Sequence, residues 1–169
     1  MTWIETKRLV LREFDIEDLP KLAPILSDPK VMKFSPTGVH SIEQVREKIR
    51  SYINCYNKFG FGKWAVIHKQ SNKLIGYCGI AVDRIDDCDE AELGYRLDPS
   101  YWGQNIATEA ALKAINYGFE RFKLPYVLGI VEPRNTASVR VLEKIGMQYV
   151  KKTIFHELEM DVYRLNAEH

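Results

Sequence analysis

A helix whose inward face is built largely of alanine must lie close against something flat, and residues from about 105 to 121 describe such a helix. Ile106, Ala107, Ala110, Ala111, Ala114 and Ile115 recur at helical spacing and leave one small, apolar face. The run before it, "AELGYRL" (91–97), reads as a strand closed by Asp98-Pro99, and the run after it, "YVLGIV" (126–131), reads as another. The alanine face therefore predicts a helix packed on a sheet.

The remaining elements extend this pattern. "RLVLREF" (8–14) alternates apolar and charged residues, as a half-buried strand does. Asp15 can cap a helix carrying Leu19, Leu22, Ile25 and Leu26 on one face, and Ser41 with Gln44 has the S-x-x-Q form of a capping box. Behind that box Val45, Ile49, Tyr52 and Tyr56 keep helical spacing. "GKWAVIH" and "LIGYCGIAV" form a strand pair around the polar turn "KQSNK"; "NTASVRVLEKIG" (135–146) is a helix ending at Gly146. Strand-like runs near 147–154 and 158–165 close the chain. No repeat or linker divides the 169 residues, so the expectation is one mixed α/β domain over 1–169.

Charge narrows the function classes. Lys plus Arg (24) and Asp plus Glu (23) nearly cancel, giving net +1, which disfavours a nucleic-acid partner. No apolar run reaches membrane-spanning length, and the charged start is unlike a signal peptide, so a cytoplasmic protein is expected. Cys55, Cys78 and Cys88 are an odd, scattered set, Cys78 in a core strand, and His40, His68, His156 and His169 lack ligand spacing. No metal is expected, and any anion site must be local.

One such site is offered by "WGQNIA" (102–107). A chain turning into a helix exposes N–H groups without intrahelical partners, and the helix dipole adds positive potential there. Gly103 supplies backbone freedom, Ala107 leaves room, and Asn105 tolerates a left-handed conformation. The stretch reads equally as a plain helix start with Asn105 as N-cap. No Gly-Lys-Ser/Thr follows, which disfavours a Walker-type nucleotide site. Downstream, Asn135 and Ser138 can face one spot from the first turn of their helix, or merely cap it.

Taken together, "ELGYRLDPSYWGQNIATEA" and "NTASVRVLEKIGM" resemble the GNAT superfamily of N-acetyltransferases, and within it the ribosomal-protein-alanine (RimJ/RimL-type) branch. The resemblance covers nearly the whole chain. It implies a twisted mixed sheet of about six or seven strands flanked by about four helices, with "ELGYRL" and "YVLGIV" splayed apart. It implies acetyl-CoA as donor, its pyrophosphate held at Trp102, Gly103, Gln104, Asn105, Ile106, Ala107 and Thr108. The pantetheine arm would lie along the backbone near Tyr95 and Leu97, with Asn135 and Ser138 at the arm or thiol end. Two positions depart from the family pattern: Asn105 stands in a glycine place, and Leu142 stands where many members have a tyrosine acting as general acid.

The chemistry asks for a neutral amine, a stabilised oxyanion and a thiolate that can leave. Glu92, on the splayed strand, is the candidate base, with Glu90 and Glu159 as alternatives. Ser138 can donate to the sulfur, and backbone N–H groups near Tyr95–Leu97 are candidate oxyanion donors. The acceptor is a protein N-terminus or a small amine. Phe34, Tyr52, Tyr56, Phe59, Phe61 and Trp64 are candidate acceptor contacts, and Asp83, Asp86, Asp87 and Asp89 could attract a cationic amine. A monomer or a homodimer is expected. A non-catalytic acyl-CoA-binding module is the alternative reading.

Overall fold

The computed structural model describes residues 1–168; His169 lies outside the described residues. Eight strands form one sheet: β1 (Trp3–Glu5), β2 (Leu9–Arg12), β3 (Lys63–His68), β4 (Lys73–Ile85), β5 (Cys88–Leu97), β6 (Tyr126–Val131), β7 (Gln148–Phe155) and β8 (Leu158–Asn166). Four helices accompany them: α1 (Leu19–Leu26), α2 (Ile42–Phe59), α3 (Ile106–Phe122) and α4 (Thr136–Lys144). The sheet order is β1-β2-β3-β4-β5-β6-β8-β7, and only β5 and β6 run parallel. The sheet has one strand more than the upper sequence count. The addition is β1, three residues paired with β2 through Trp3↔Arg12, Ile4↔Leu11 and Glu5↔Val10.

Directly opposed residues share a face, which assigns the helices to layers. Trp64, Cys78 and Tyr95 lie on one face; there Trp64 meets Tyr117 of α3 edge-on, and the ideal Cβ of Gly118 would fall 2.7 Å from Ile80. The alanines expected to touch the sheet, Ala110, Ala111 and Ala114, are fully buried. Tyr77, Gly79 and Ala81 lie on the other face, covered by α2 through the Tyr52–Tyr77 ring pair. Tyr56 of α2 also donates its hydroxyl to the Lys63 carbonyl.

Local chemistry sets the helix ends. Ser41 and Gln44 close the capping box of α2, the Ser41 Oγ accepting from the Gln44 N–H and the Gln44 Oε1 from the Ser41 N–H. Asp15 caps a 3₁₀ turn at Ile16–Asp18 that leads into α1. Asp18 ends that turn as a fork: Arg12 donates Nη1 and Nη2 to its two oxygens, both at 2.9 Å, and the Asp15 N–H adds a third bond. Burial works to raise the Asp18 carboxyl, but these donors overcome it and hold the group below its ordinary value. A carboxylate held low in the fold stabilises above the ordinary Asp value of about 4, and that contribution fades as pH falls through the folded value. Asp18→Asn should therefore cost about 1–3 kcal/mol at neutral pH. The gap from wild type, read from denaturant curves, should close below about pH 4.

Candidate acyl-transfer site

The defining feature of the sheet is a pairing that stops. β5 and β6 meet only at Glu92↔Leu128 and Leu93↔Gly129, then diverge. Tyr95 and Leu97 lie past the last pair. The Asp98 N–H bonds to the Ile75 carbonyl at 2.7 Å, so Gly76↔Leu97 is a wide pair of the antiparallel ladder. By the alternation of that ladder, Leu97 and Tyr95 aim their N–H and C=O groups away from β4, into the space β6 has left. The Tyr95 carbonyl accepts from Arg96 Nη1 at 2.9 Å, and the Leu97 carbonyl from the Trp102 indole N–H at 3.0 Å. The two N–H groups are left pointing into the gap.

That gap opens into a cavity of about 730 Å³. Tyr95 and Leu97 of β5 line it, together with Trp102, Gly103, Asn105, Ile106, Ala107 and Thr108 of the loop and first turn of α3. Asn135 and Ser138 of α4 complete that wall. Gln104 lies off the lining, its side-chain amide donating to the Ser100 carbonyl at 3.4 Å.

The loop is shaped by two left-handed residues, Gly103 (φ 74°) and Asn105 (φ 61°). Asn105 makes no side-chain cap, so the plain N-cap reading of this position gives way. Its Oδ1 instead accepts from Lys144 Nζ at 2.9 Å, tying the loop to the end of α4. The first helical bond is Glu109 N–H to the Asn105 carbonyl, at 3.1 Å. Ile106, Ala107 and Thr108 therefore present three N–H groups with no intrahelical acceptor, at the positive end of α3 and on the cavity wall. Such a terminus suits an anionic group approaching the backbone.

On α4, Asn135 does act as a cap, its Oδ1 accepting from the Ser138 N–H at 3.2 Å. The Ser138 hydroxyl is free for other work and meets the Tyr95 hydroxyl at 2.7 Å. Burial raises the Tyr95 phenol to about 12, so it remains a protonated donor. Leu142 is buried against Gly129, whose ideal Cβ would lie 3.1 Å from it; the position that many family members give to a tyrosine is core here.

Glu92 stands at the crotch of the splay, on the face that α2 covers and outside the cavity lining. Its side chain is 13% exposed, and Lys63 Nζ lies 3.6 Å from Oε2, an ion pair too long for a normal hydrogen bond. Burial pushes the Glu92 carboxyl up, and the Lys63 charge only partly offsets this. Gly94 follows on the same face, its absent Cβ replaced by the Lys63 ammonium 2.0 Å from the ideal position. Glu90 is opposite Asp83 and Glu159 opposite Ile154, both farther from the splay.

The other sequence candidates disperse. Phe34 lines the cavity; Tyr52, Tyr56, Phe61 and Trp64 are core, and Phe59 is partly exposed beside Phe61. The acidic run sits at the tip of the β4–β5 hairpin. There Asp86 binds Lys151 (2.6 Å) and Thr153 (2.5 Å), and Asp89 binds Arg84. None of the four aspartates lines the cavity. Among the described residues, no group of three or more His, Cys, Asp or Glu could hold a metal, and no helix is long and apolar enough to cross a membrane.

Residues 8–148 match the acetyltransferase (GNAT) domain family. The chain belongs to that family. An N-acetyltransferase named p20 from Bacillus licheniformis is 33% identical over 150 residues, covering 88% of this chain and 83% of its own. A GNAT-family acetyltransferase of known structure from Bacillus anthracis superposes with a TM-score of 0.81 at 30% identity, covering 98% of both chains. RimL, a ribosomal L7/L12 α-N-protein acetyltransferase solved in complex with coenzyme A, shares the fold at a TM-score of 0.81 and 20% identity, over 98% of each chain. The chain is thus an acetyltransferase, and β5 and β6 part as the family resemblance implies.

Proposed function

We propose that the protein moves an acetyl group from acetyl-CoA directly to a primary amine, either a protein N-terminal α-amino group or the amine of a small molecule. The observation that carries this is the pair of unpartnered N–H groups on Tyr95 and Leu97, set beside the uncapped terminus of α3 in one cavity. The α3 terminus and Gly103–Thr108 would hold the cofactor's pyrophosphate, and the β5 edge its pantetheine arm. Bound there, the cofactor supplies an activated thioester carbonyl. Because the Tyr95 and Leu97 carbonyls already accept side-chain donors, β5 would act on the arm mainly as a donor edge.

The chain's own residues supply the rest. Tyr95 or Leu97 N–H stabilises charge on the carbonyl oxygen. Glu92, raised by burial, takes a proton from the acceptor ammonium, directly or through water. The positive charge of Lys63 on the same face disfavours the protonated amine and so assists that loss. Ser138, supported by the Tyr95 hydroxyl, donates a hydrogen bond to the departing sulfur. An α-amino group, with a reference value of about 7.7–8.0, needs little help, so a modest base suffices. RimL, with this fold and an α-amino target, supports the protein-terminus reading.

Thiol release from acetyl-CoA, followed with a panel of peptides and amines, tests the proposal. Tight coenzyme A binding without thiol release from any amine would favour a non-catalytic binding module instead. Tyr95→Phe should lower kcat by about fivefold while leaving coenzyme A affinity within twofold, since one neutral hydrogen bond contributes roughly 1 kcal/mol. An unchanged kcat would remove Tyr95 from the leaving-group side. Asn105→Gly relieves a left-handed strain but releases Lys144. Coenzyme A titration should give equal or modestly tighter binding; a large loss would show that the Asn105 side chain, directly or through Lys144, holds the ligand.

A further inference from the structure

The cavity is lined by five basic side chains, Lys30, Lys33, Arg96, Arg140 and Lys144, and by no carboxylate. They fall into two groups. Arg140 and Lys144 stand on α4, beside the loop that would carry the cofactor's phosphates, and that role accounts for them. Lys30, Lys33 and Arg96 are not accounted for in this way. Arg96 lies on the opposite face of β5, in a row with Gly94 and Glu92, next to the Tyr95 carbonyl at the acetyl end of the gap.

Arg96 is also under-satisfied. Its Nε is buried without any hydrogen-bond partner, and one Nη1 bond to a neighbouring carbonyl is its only side-chain hydrogen bond among the described residues. No carboxylate lies within ion-pair distance of it among those residues; Glu92 already faces Lys63. Two cations, Lys63 and Arg96, thus share this part of the face with Glu92, and Asp83 lies farther along it beyond Glu92. Arg96 is half-buried and lines the cavity, and its unpaired Nε and open Nη donors are left for an anion that a ligand would bring. Its planar fork matches a carboxylate in two-point contact.

Resting on the acetyltransferase reading above, we infer that the acceptor bears a carboxylate a few atoms from its amine, and that Arg96 recognises it. Two sources share this chemistry: a free amino acid, whose carboxylate is adjacent to the amine, and a peptide with an acidic residue near its N-terminus. Lys30 and Lys33, on the turn between α1 and α2, reinforce the positive potential at the mouth.

The test uses matched acceptors with acetyl-CoA: an amino acid against its amide, and a dipeptide Ala-Asp-amide against Ala-Asn-amide. The carboxylate member of at least one pair should show kcat/KM higher by about ten- to a hundredfold. Arg96→Gln should reduce that preference to within about threefold, while Arg96→Lys keeps part of it, which a shared packing defect would not do. Coenzyme A affinity, measured by calorimetry, should stay within about twofold in both variants. A parallel titration of the same acceptors into the protein saturated with coenzyme A reads the preference without turnover. Thiol release with no carboxylate preference in either pair overturns the inference and leaves the acetyltransferase reading standing. Preferential binding in the titration without thiol release supports Arg96 as an anion site while overturning the reading of catalysis. An Arg96→Gln protein that loses coenzyme A affinity, or loses kcat equally for all acceptors, places the guanidinium on the donor instead and overturns the inference.

Discussion

Glu92→Gln should lower kcat/KM by about a hundredfold or more, the scale of a lost general base. The reason lies in where the carboxylate sits rather than in its being acidic. Glu92 pairs with Leu128 one register before the last pair, Leu93↔Gly129, so its side chain stands near the base of the opening on the face of Lys63 and Arg96. Burial raises its pKa, which makes it a stronger proton acceptor, and the 3.6 Å gap to Lys63 leaves its oxygens room for another partner. A base must be deprotonated to act, so wild-type kcat/KM should rise with pH through the raised Glu92 value. In Glu92→Gln that limb should vanish, leaving only the rise set by the amine itself, near 8 for an α-amino group. Lys63 would also lose its carboxylate partner, and a broken buried pair is destabilising by about 3–5 kcal/mol. Adding Lys63→Met should restore much of the Tm without restoring turnover. Full activity of Glu92→Gln across pH 6–9 would remove Glu92 from the mechanism.

The parts of this site that sequence exposes are those written locally. The loop is legible because Gly103 and Asn105 are among the few residues at ease with positive φ, and because an anion site needs only backbone donors. The capping box of α2 and the alanine face of α3 are local for the same reason. Other elements depend on partners far along the chain. β1 is three residues long with Trp3 exposed, too short to show a period. The sequence stops the fourth strand at Val82 and starts the next at Ala91 because "DRIDDCDE" is polar. Yet the ladder runs on through Asp83↔Glu90 and Arg84↔Asp89, turning at Asp86 and Asp87, both at positive φ. The Arg84–Asp89 ion pair and a two-residue turn carry the stretch despite the like charges at Asp83↔Glu90.

The functional side chains that escape the sequence share one cause. Whether Tyr95 faces Ser138, Arg96 covers the Tyr95 carbonyl or the Trp102 indole closes onto Leu97 depends on which way each strand residue points. That is fixed by register with β4 and by the bulge in the β3–β4 ladder between Val66 and Ile67. The family resemblance implies a cofactor contact for Tyr95 only through its backbone; the phenol facing Ser138 is an addition only the three-dimensional pairing reveals.

Gly76→Ala should be the most damaging single methyl in the chain, costing about 3–5 kcal/mol and weakening coenzyme A binding in whatever protein still folds. Gly76 lies at the β3–β4 irregularity, where Val66 pairs with Gly76 but Ile67 pairs with Leu74, so Ile75 is the extra residue. Its φ is 150°, and a Cβ there would fall 1.9 Å from the Arg96 carbonyl oxygen. That obstacle is backbone and cannot rotate away, so β5 would have to move at Arg96–Leu97, between the two residues whose N–H groups face the cavity, Tyr95 and Leu97. Gly103→Ala provides the contrast. Its φ of 74° also disfavours a side chain, but a Cβ at Gly103 would meet nothing within 4 Å. It should cost only about 1–2 kcal/mol of folding stability. Calorimetric titration of coenzyme A should nevertheless show a loss of affinity, because the open space beside Gly103 is where the ligand's phosphates would pass. Equal Tm losses in the two variants would mean that β4 relaxes around Gly76, and that the bulge does not hold the donor edge in place.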